Sequence, residues 1–294
     1  MDELRGNRVL VVGMAGFLWR PVCEALREAG ADICSPMLED PADLTDFLTM
    51  AAWERPEIIV YMAEPQTMGM SGFLRRTLLG GMNALQAAVT VKARLVMVTD
   101  DNAVFQDSSD YDVARQALLV LARAYRKERS LVFSQVLPCP CYGPVEILNR
   151  HIPRLIPSIV STIREAQDAK SKKVTLFGAP KNRMPLLHAK DAARAVAAAC
   201  ALPGCDVPFQ LMPKAIPTLG EIVAILVEEI GFEGKVEWDK KDIFAAAGRL
   251  DDDGLAREAL GWEPKIGLQE GLAEAVKTQL GIPDAKEPQA VSAP

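Results

Sequence analysis

Short apolar runs alternate with longer stretches of helical period through the first half of the chain. Arg8-Val9-Leu10-Val11-Val12 is apolar from its second residue on, the pattern of a strand covered on both faces of a parallel sheet. Residues 57–62, 94–98 and 131–136 repeat that pattern, and 33–37 is a weaker version of it. Helical periods lie between them: a stretch reaching about Ala29 and stopped by Gly30, then 43–55, 73–89 and 111–127. The last carries Ala114, Leu118, Leu121, Ala122 and Tyr125 on one side. This alternation predicts an α/β fold, a Rossmann-like doubly wound parallel sheet with right-handed crossovers. The second half is less regular. It predicts a helix over 153–169, a strand over 173–177 ending at Gly178, helices over 189–201 and 219–230, and a closing segment from 258 through 271 to 280. Residues 282–294 are rich in Pro, Ala and polar residues and read as a frayed tail.

Composition narrows the function classes. A chain of 294 residues holds one large α/β domain or two modest ones. Lys and Arg number 33 against 39 Asp and Glu, a net charge of −6, which argues against a broad nucleic-acid surface. No apolar run is long enough to span a bilayer. Met1-Asp2-Glu3-Leu4-Arg5 lacks the basic and apolar regions of a signal peptide, so a cytoplasmic location is expected. The six scattered cysteines read as free thiols of a reducing compartment. Cys139-Pro140-Cys141 has no second pair to complete a zinc site, and two histidines, His151 and His188, are too few for a multi-histidine centre; no metal is expected.

The first candidate chemistry is Gly13-x-x-Gly16, set between strand one and helix one. Glycines there allow a tight turn that aims backbone N–H groups and a helix N-terminus at a pyrophosphate. The alternative is a plain βα turn, and Trp19 favours it, because a large ring stands where a third glycine usually sits. The stretch Ser35-Pro36-Met37-Leu38-Glu39-Asp40 has no basic residue to accept a ribose 2′-phosphate. A dinucleotide bound here is expected to be NAD or NADP, with NAD favoured; Glu39 and Asp40 read equally as ribose ligands or solvated loop charge.

Taken in order, further stretches resemble the extended short-chain dehydrogenase/reductases, the NAD-dependent epimerase/dehydratase family that acts on nucleotide sugars, and within it the GDP-L-fucose synthase branch. The resemblance runs over roughly residues 8–275. Arg8 to Phe17 resembles the opening strand and glycine loop, and Ala42-Asp43-Leu44-Thr45-Asp46 resembles the "DLTD" segment beside the adenine. Arg55-Pro56-Glu57-Ile58-Ile59 resembles the "RPD" strand, and residues 79–88 the "GTxNLLEAA" helix. Tyr142-Gly143-Pro144 matches "YGP", and 155–166 resembles the "VIPALIRRFHEA" helix. Leu187-His188-Ala189-Lys190-Asp191 resembles "LHVDD", and Leu260-Gly261-Trp262-Glu263-Pro264-Lys265 resembles "LGWxPK".

The resemblance implies a dinucleotide-binding domain over 1–144 plus about 184–202, and a substrate-binding subdomain over about 145–183 and 203–281. It implies cofactor contacts at Gly13, Gly16, Phe17, Leu18, Asp43, Leu44 and Ala63. It implies reduction of a sugar 4-keto group by hydride from a nicotinamide. A tyrosine donates the proton, a lysine four residues on lowers the tyrosine pKa, and a Ser or Thr orients the carbonyl. Tyr111 keeps the tyrosine. Arg115 stands in the lysine's place, charged but forked and bulkier. Asp101 stands in the serine's place, with Thr99 the neighbouring hydroxyl. Thr99-Asp100-Asp101 also resembles the Thr-Asp-Glu acid–base set of the related 4,6-dehydratases. Only ten positions separate Asp101 from Tyr111, a shortened substrate loop, and the epimerase cysteine appears as Ala103. Arg154, Arg183 and His188 fall at or beside substrate-contacting positions, with a structural role open for His188. The implied partners are a nucleotide-sugar substrate and a second copy of the chain, docked through 73–89 and 111–127. Two functions stand: an NAD(P)-dependent epimerase or reductase of a nucleotide-linked 4-keto sugar, or a catalytically silent member that binds a nucleotide or a partner protein.

Overall fold

In the computed structural model, residues 3–13, 18–34, 40–63, 75–99, 109–144, 155–239 and 254–281 are described. Their elements begin with β1 (Arg8–Gly13), α1 (Trp19–Glu28), β2 (Asp32–Cys34), α2 (Leu44–Glu54) and β3 (Ile58–Ala63). A π-helical turn (Arg75–Leu79) leads into α3 (Gly80–Val91), followed by β4 (Arg94–Thr99), α4 (Ser109–Arg129), β5 (Phe133–Pro138) and β6 (Cys141–Tyr142). Then come α5 (Leu155–Asp168), β7 (Lys173–Phe177), β8 (Leu187–His188), α6 (Ala189–Ala201) and β9 (Phe209–Leu211). The last are α7 (Leu219–Ile230), β10 (Lys235–Asp239), α8 (Leu255–Leu260) and α9 (Leu268–Gln279). The chain divides into two units, Met1–Cys141 with Arg183–Pro217 and Ile243–Lys265, and Tyr142–Asn182 with Thr218–Asp242 and Ile266–Pro294.

The first unit is built on a six-stranded sheet in the order β2-β1-β3-β4-β5-β9, parallel throughout. Helices cover both faces, which is why the strands read as unbroken apolar runs rather than as alternation. On one face Val9, Val11, Ile58, Val60, Val96 and Val136 pack with Val22 and Leu26 of α1 and the alanine-rich side of α6. On the other, Leu10, Val12, Ile59, Leu95, Met97 and Phe133 pack with Phe47 of α2, Leu85 of α3 and Ala122 of α4. Burial of each such side chain is worth roughly 1.5–3 kcal/mol, and that gain holds the three layers together. Gly80 opens α3 where the helix crosses Tyr61: a Cβ there would lie 2.3 Å from the Tyr61 hydroxyl.

In the second unit β7 and β10 form a parallel pair, Lys173 beside Lys235 through Phe177 beside Asp239. Its core draws Ile159, Val160 and Ile163 from α5, Ile222, Val223 and Leu226 from α7, and Leu272 and Val276 from α9. α7 starts in a reciprocal cap, in which the Thr218 side chain accepts from Glu221 N–H and the Glu221 carboxylate accepts from Thr218 N–H. Gln167 donates to the carbonyls of Ile230 and Gly231, both at 3.1 Å, and so ties α5 to the end of α7.

The strands expected at 8–12, 57–62, 94–98 and 131–136 appear within two residues of those bounds, and 189–201 and 219–230 are helices as expected. The expected strand 33–37 is met by β2 as far as Cys34; 35–39 lie outside the described residues, as does the tail 282–294. Three differences have physical causes. The helix expected at 73–89 begins, where described, with the π-helical turn Arg75–Leu79, next to the low helix propensity of the Gly80–Gly81 pair. β10 was not expected, because its apolar positions are only Val236 and Trp238. Residues 203–217, expected in the second subdomain, belong to the first unit. β9 completes the main sheet there, with Phe209 beside Val136, a long-range pairing that no local pattern announces.

Residues 254–265 likewise join the first unit, through Asp191 at the start of α6. Asp191 is 1% exposed, and its carboxylate accepts from Arg194 and, at 3.1 Å, from the Lys265 N–H. Its carbonyl accepts from the Trp262 indole at 2.8 Å. The "LHVDD"-like and "LGWxPK"-like stretches are thus two halves of one buried polar lock. Asp191→Ala leaves Arg194 and the Lys265 N–H without their carboxylate acceptor while the bond from Trp262 to the backbone carbonyl remains, and a loss of about 3 kcal/mol in unfolding free energy is expected, measured by urea denaturation.

Candidate functional site

Three candidate residues share one edge of the first unit's sheet. Gly13, Ala63 and Thr99 are the last residues of β1, β3 and β4. The register sets Gly13 beside Met62 and Ala63 beside Thr99, so the three form a row at the carboxyl ends of adjacent strands. β1 lies between β2 and β3, the place where the strand order reverses, and ligands of open α/β sheets bind in the crevice outside that point.

Gly13 has φ +150°, and a Cβ on it would sit 2.5 Å from the Met62 carbonyl oxygen. Any side chain there collides with the backbone of β3, so the sequence must place glycine where β1 turns toward α1. α1 then starts after Leu18 with no side-chain cap and no acidic residue in its first turn. Its positive dipole end, with no acidic residue in the first turn, favours negative charge nearby. Leu18 is buried, and Trp19 is half-buried against the apolar cluster under α1 and α6. Its ring takes part in core packing. Gly16 and Phe17 lie outside the described residues.

Asp43 and Leu44 open α2. Both are exposed, and the Asp43 carboxylate accepts from Asp46 N–H at 3.0 Å as the helix N-cap. The segment before them is anchored by Asn83 of α3, whose side-chain amide donates to the Pro41 carbonyl at 2.9 Å. At the end of β2, burial pushes the Cys34 thiol pKa up, against the opposing pull of Arg8. Burial raises Cys23 to about 11 and Cys200 to about 12, so both remain protonated, unreactive thiols near neutrality.

Tyr111 and Arg115 both fall on α4, four residues apart and so one helical turn along its backbone. Asp101, in the serine's place, and Arg154 lie outside the described residues, as do Glu39, Asp100, Ala103 and His151. Thr99 is fully buried, and its hydroxyl accepts a hydrogen bond from the Gln135 amide at 3.0 Å. Arg183 is exposed, belongs to the first unit, and reaches the Ile216 carbonyl at 3.5 Å. His188 is 1% exposed, and its Nδ1 accepts from the Lys190 N–H at 3.3 Å, capping α6. Asn83 and Gln135 were not among the expected site residues. Their signal was a large amide side chain among mostly apolar residues of an element bound for the core. Among the described residues no cluster of three or more His, Cys, Asp or Glu is placed to hold a metal ion. No described helix is long and apolar enough to cross a membrane.

A doubly wound parallel sheet with a glycine-terminated first strand followed by a helix at its switch point places the first unit in the Rossmann-type class. Comparison with known proteins carries this further. The model of the NAD dependent epimerase/dehydratase family matches residues 9–205, and the chain belongs to that family. A probable GDP-L-fucose synthase 1 of Oryza sativa subsp. japonica is 26% identical over 167 residues, 57% of this chain and 51% of that protein. The match thus spans about half the length of the curated relative. The crystal structure of a GDP-L-fucose synthetase from Naegleria fowleri superimposes with a TM-score of 0.83 at 15% identity, covering 96% of this chain and 94% of that one. The structure described as that protein bound to NADP gives 0.82 at 15% identity, covering 94% and 93%.

Gly13→Ala tests the row directly. The added methyl must displace β3 or the loop after β1. A stability loss of about 1–3 kcal/mol is expected by thermal or urea unfolding, with loss of any nicotinamide nucleotide affinity by titration.

Proposed function

We propose that the chain binds a nicotinamide dinucleotide along the carboxyl edge of the first unit's sheet and acts on a nucleotide-linked 4-keto sugar as an epimerase or reductase. The observation that carries this reading is Gly13: its missing side chain lets the backbone of β1 run close beside β3 at the edge that precedes α1, the place a pyrophosphate takes in such folds. Gly13, Gly16, Phe17 and Leu18 would hold the phosphates, Asp43 and Leu44 the adenosine, and Ala63 the passage toward the nicotinamide. The lack of a basic residue over 35–40 favours NAD over NADP. The bound nicotinamide supplies or accepts a hydride. Tyr111 holds the proton for the carbonyl oxygen, and the Arg115 charge draws the phenol toward acidity. Arg115 keeps the lysine's charge without its compactness, so proton transfer is slower than with lysine. Arg154 and Arg183 are the cations for the nucleotide phosphates of the substrate.

A second reading has its own support. Asp101 puts a carboxylate where a hydroxyl would meet a carbonyl oxygen gaining negative charge, and the Thr99 hydroxyl is turned to Gln135. On this reading the chain is a silent member that keeps the nucleotide cradle. Titration with NAD⁺, NADH, NADP⁺ and NADPH, followed by melting temperature and nicotinamide fluorescence, separates the outcomes. A rise in Tm with micromolar affinity supports the cradle, whereas no shift at millimolar nucleotide rejects both readings of it. Turnover of GDP- or dTDP-4-keto sugars that falls at least about 100-fold in Tyr111→Phe supports the enzyme; binding without turnover supports the silent member.

A second copy of the chain is the proposed partner. Leu79 and Met82 beside and on α3, and Val113 and Val120 on α4, are exposed large apolar residues, 40%, 42%, 61% and 63% accessible. Their spacing of three and seven aligns each pair on one helix side, and α3 and α4 are linked by the Tyr125 hydroxyl bonded to Gln86. The double variant Val113→Asp with Val120→Asp is expected to run as a monomer by light scattering at concentrations where the parent runs as a dimer; an unchanged mass would exclude this face.

A further inference from the structure

Gln135 does not fit the character of its strand. All six residues of β5 are buried, and Gln135, 1% exposed, stands among them at the alternation shared with Phe133. That is the face on which Phe133, Leu95 and Met97 pack against α3 and α4. The Gln135 Nε2 donates to Thr99 Oγ1 at 3.0 Å. Its Oε1 is buried and has no hydrogen-bond partner among the described residues. Thr99 is fully buried too, and its Oγ1 makes no other hydrogen bond among the described residues. A buried amide oxygen left unmet is costly, and buried polar groups in folded proteins are met by protein or by ordered water.

The two side chains leave the same requirement whichever way the amide is turned. With Nε2 donating to Thr99, the amide oxygen remains as an acceptor, and the second amide N–H and the threonine proton remain as donors. With the amide reversed, the threonine proton goes to the amide oxygen, leaving two amide N–H groups as donors and a threonine lone pair as acceptor. Either way two donors and an acceptor remain on the pair, side by side and neutral. Neither side chain offers an ion a charge, and an apolar group satisfies none of these atoms. The group that offers a donor and an acceptor in the smallest volume is water.

We propose that Thr99 and Gln135 hold one internal water molecule toward the carboxyl ends of β4 and β5, on the sheet face covered by α3 and α4. The water closes the hydrogen-bonding of a polar pair set in an apolar layer. It lies on the side of the sheet packed by the helix that carries Tyr111 and Arg115. The proposal is independent of the activity proposed above, since it concerns the protein without ligand.

A crystal structure of the full chain, at a resolution that shows ordered water, tests it. One water is expected within hydrogen-bond distance of both the Gln135 amide and Thr99 Oγ1, with and without added NADPH. An empty site, or one filled by a protein side chain or a cofactor group, would overturn the proposal. Gln135→Leu supplies a second measurement. If the site is dry, leucine removes an orphaned polar atom and the melting temperature rises, which counts against the water. If the water is present, leucine expels it and strands the Thr99 hydroxyl, and the melting temperature drops by several degrees. Should Gln135→Leu fail to fold, the density of the parent protein decides alone.

Discussion

Burial of one parallel sheet on both faces is the constraint on which the rest of this structure depends. The backbone of the strands is satisfied only within the sheet, and their side chains only beneath helices. That requirement explains the apolar runs, the alanine face of α6, and the glycine start of α3 where it crosses Tyr61. It also leaves a single kind of place where backbone polar groups meet solvent in an ordered way: the ends of the strands and the starts of the helices that follow them. Gly13, Ala63 and Thr99 stand in a row at that edge because β1, β3 and β4 are neighbours in the sheet.

Polar side chains inside this apolar frame have distinct jobs. Asp191 locks the start of α6 to the Trp262–Lys265 segment. Asn83 fixes the chain ahead of Asp43, and His188 caps α6. These bonds fix the starts of α2 and α6 and the segment around Trp262 within the first unit. Two stretches that resemble family motifs, around His188–Asp191 and Trp262–Lys265, are accounted for by this architectural role. A motif shared by a family marks a requirement of the fold as readily as one of the chemistry.

The comparisons and the fold agree on the family. On the proposed reading, Arg115 and Asp101 change charge and shape where a carbonyl would be reduced, whereas dinucleotide binding would rest on Gly13 and the start of α1. On that reading binding and turnover rest on different residues and are separable by experiment.

Much of the fold was legible in the sequence. Strands of five or six apolar residues and helices with clear periods announce themselves locally, because burial on two faces or on one stripe sets their pattern. The glycine at position 13 was legible for the same reason, since its place after an apolar run and before a helix is a local relation. β9 and β10 were not, because three residues or two apolar positions carry no period. The assignment of 203–217 and 254–265 to the first unit was not legible either. It depends on Phe209 finding Val136 and on Trp262 and Lys265 finding Asp191, contacts between residues 70 or more positions apart. The sequence by itself determined the class of fold, the order of its main elements and the residue types at its candidate site. Only the tertiary structure decided that Gly13, Ala63 and Thr99 share an edge and that Thr99 and His188 are buried in service of a neighbour. Local pattern records what each segment needs to bury, whereas the partner that buries it is chosen by the whole chain.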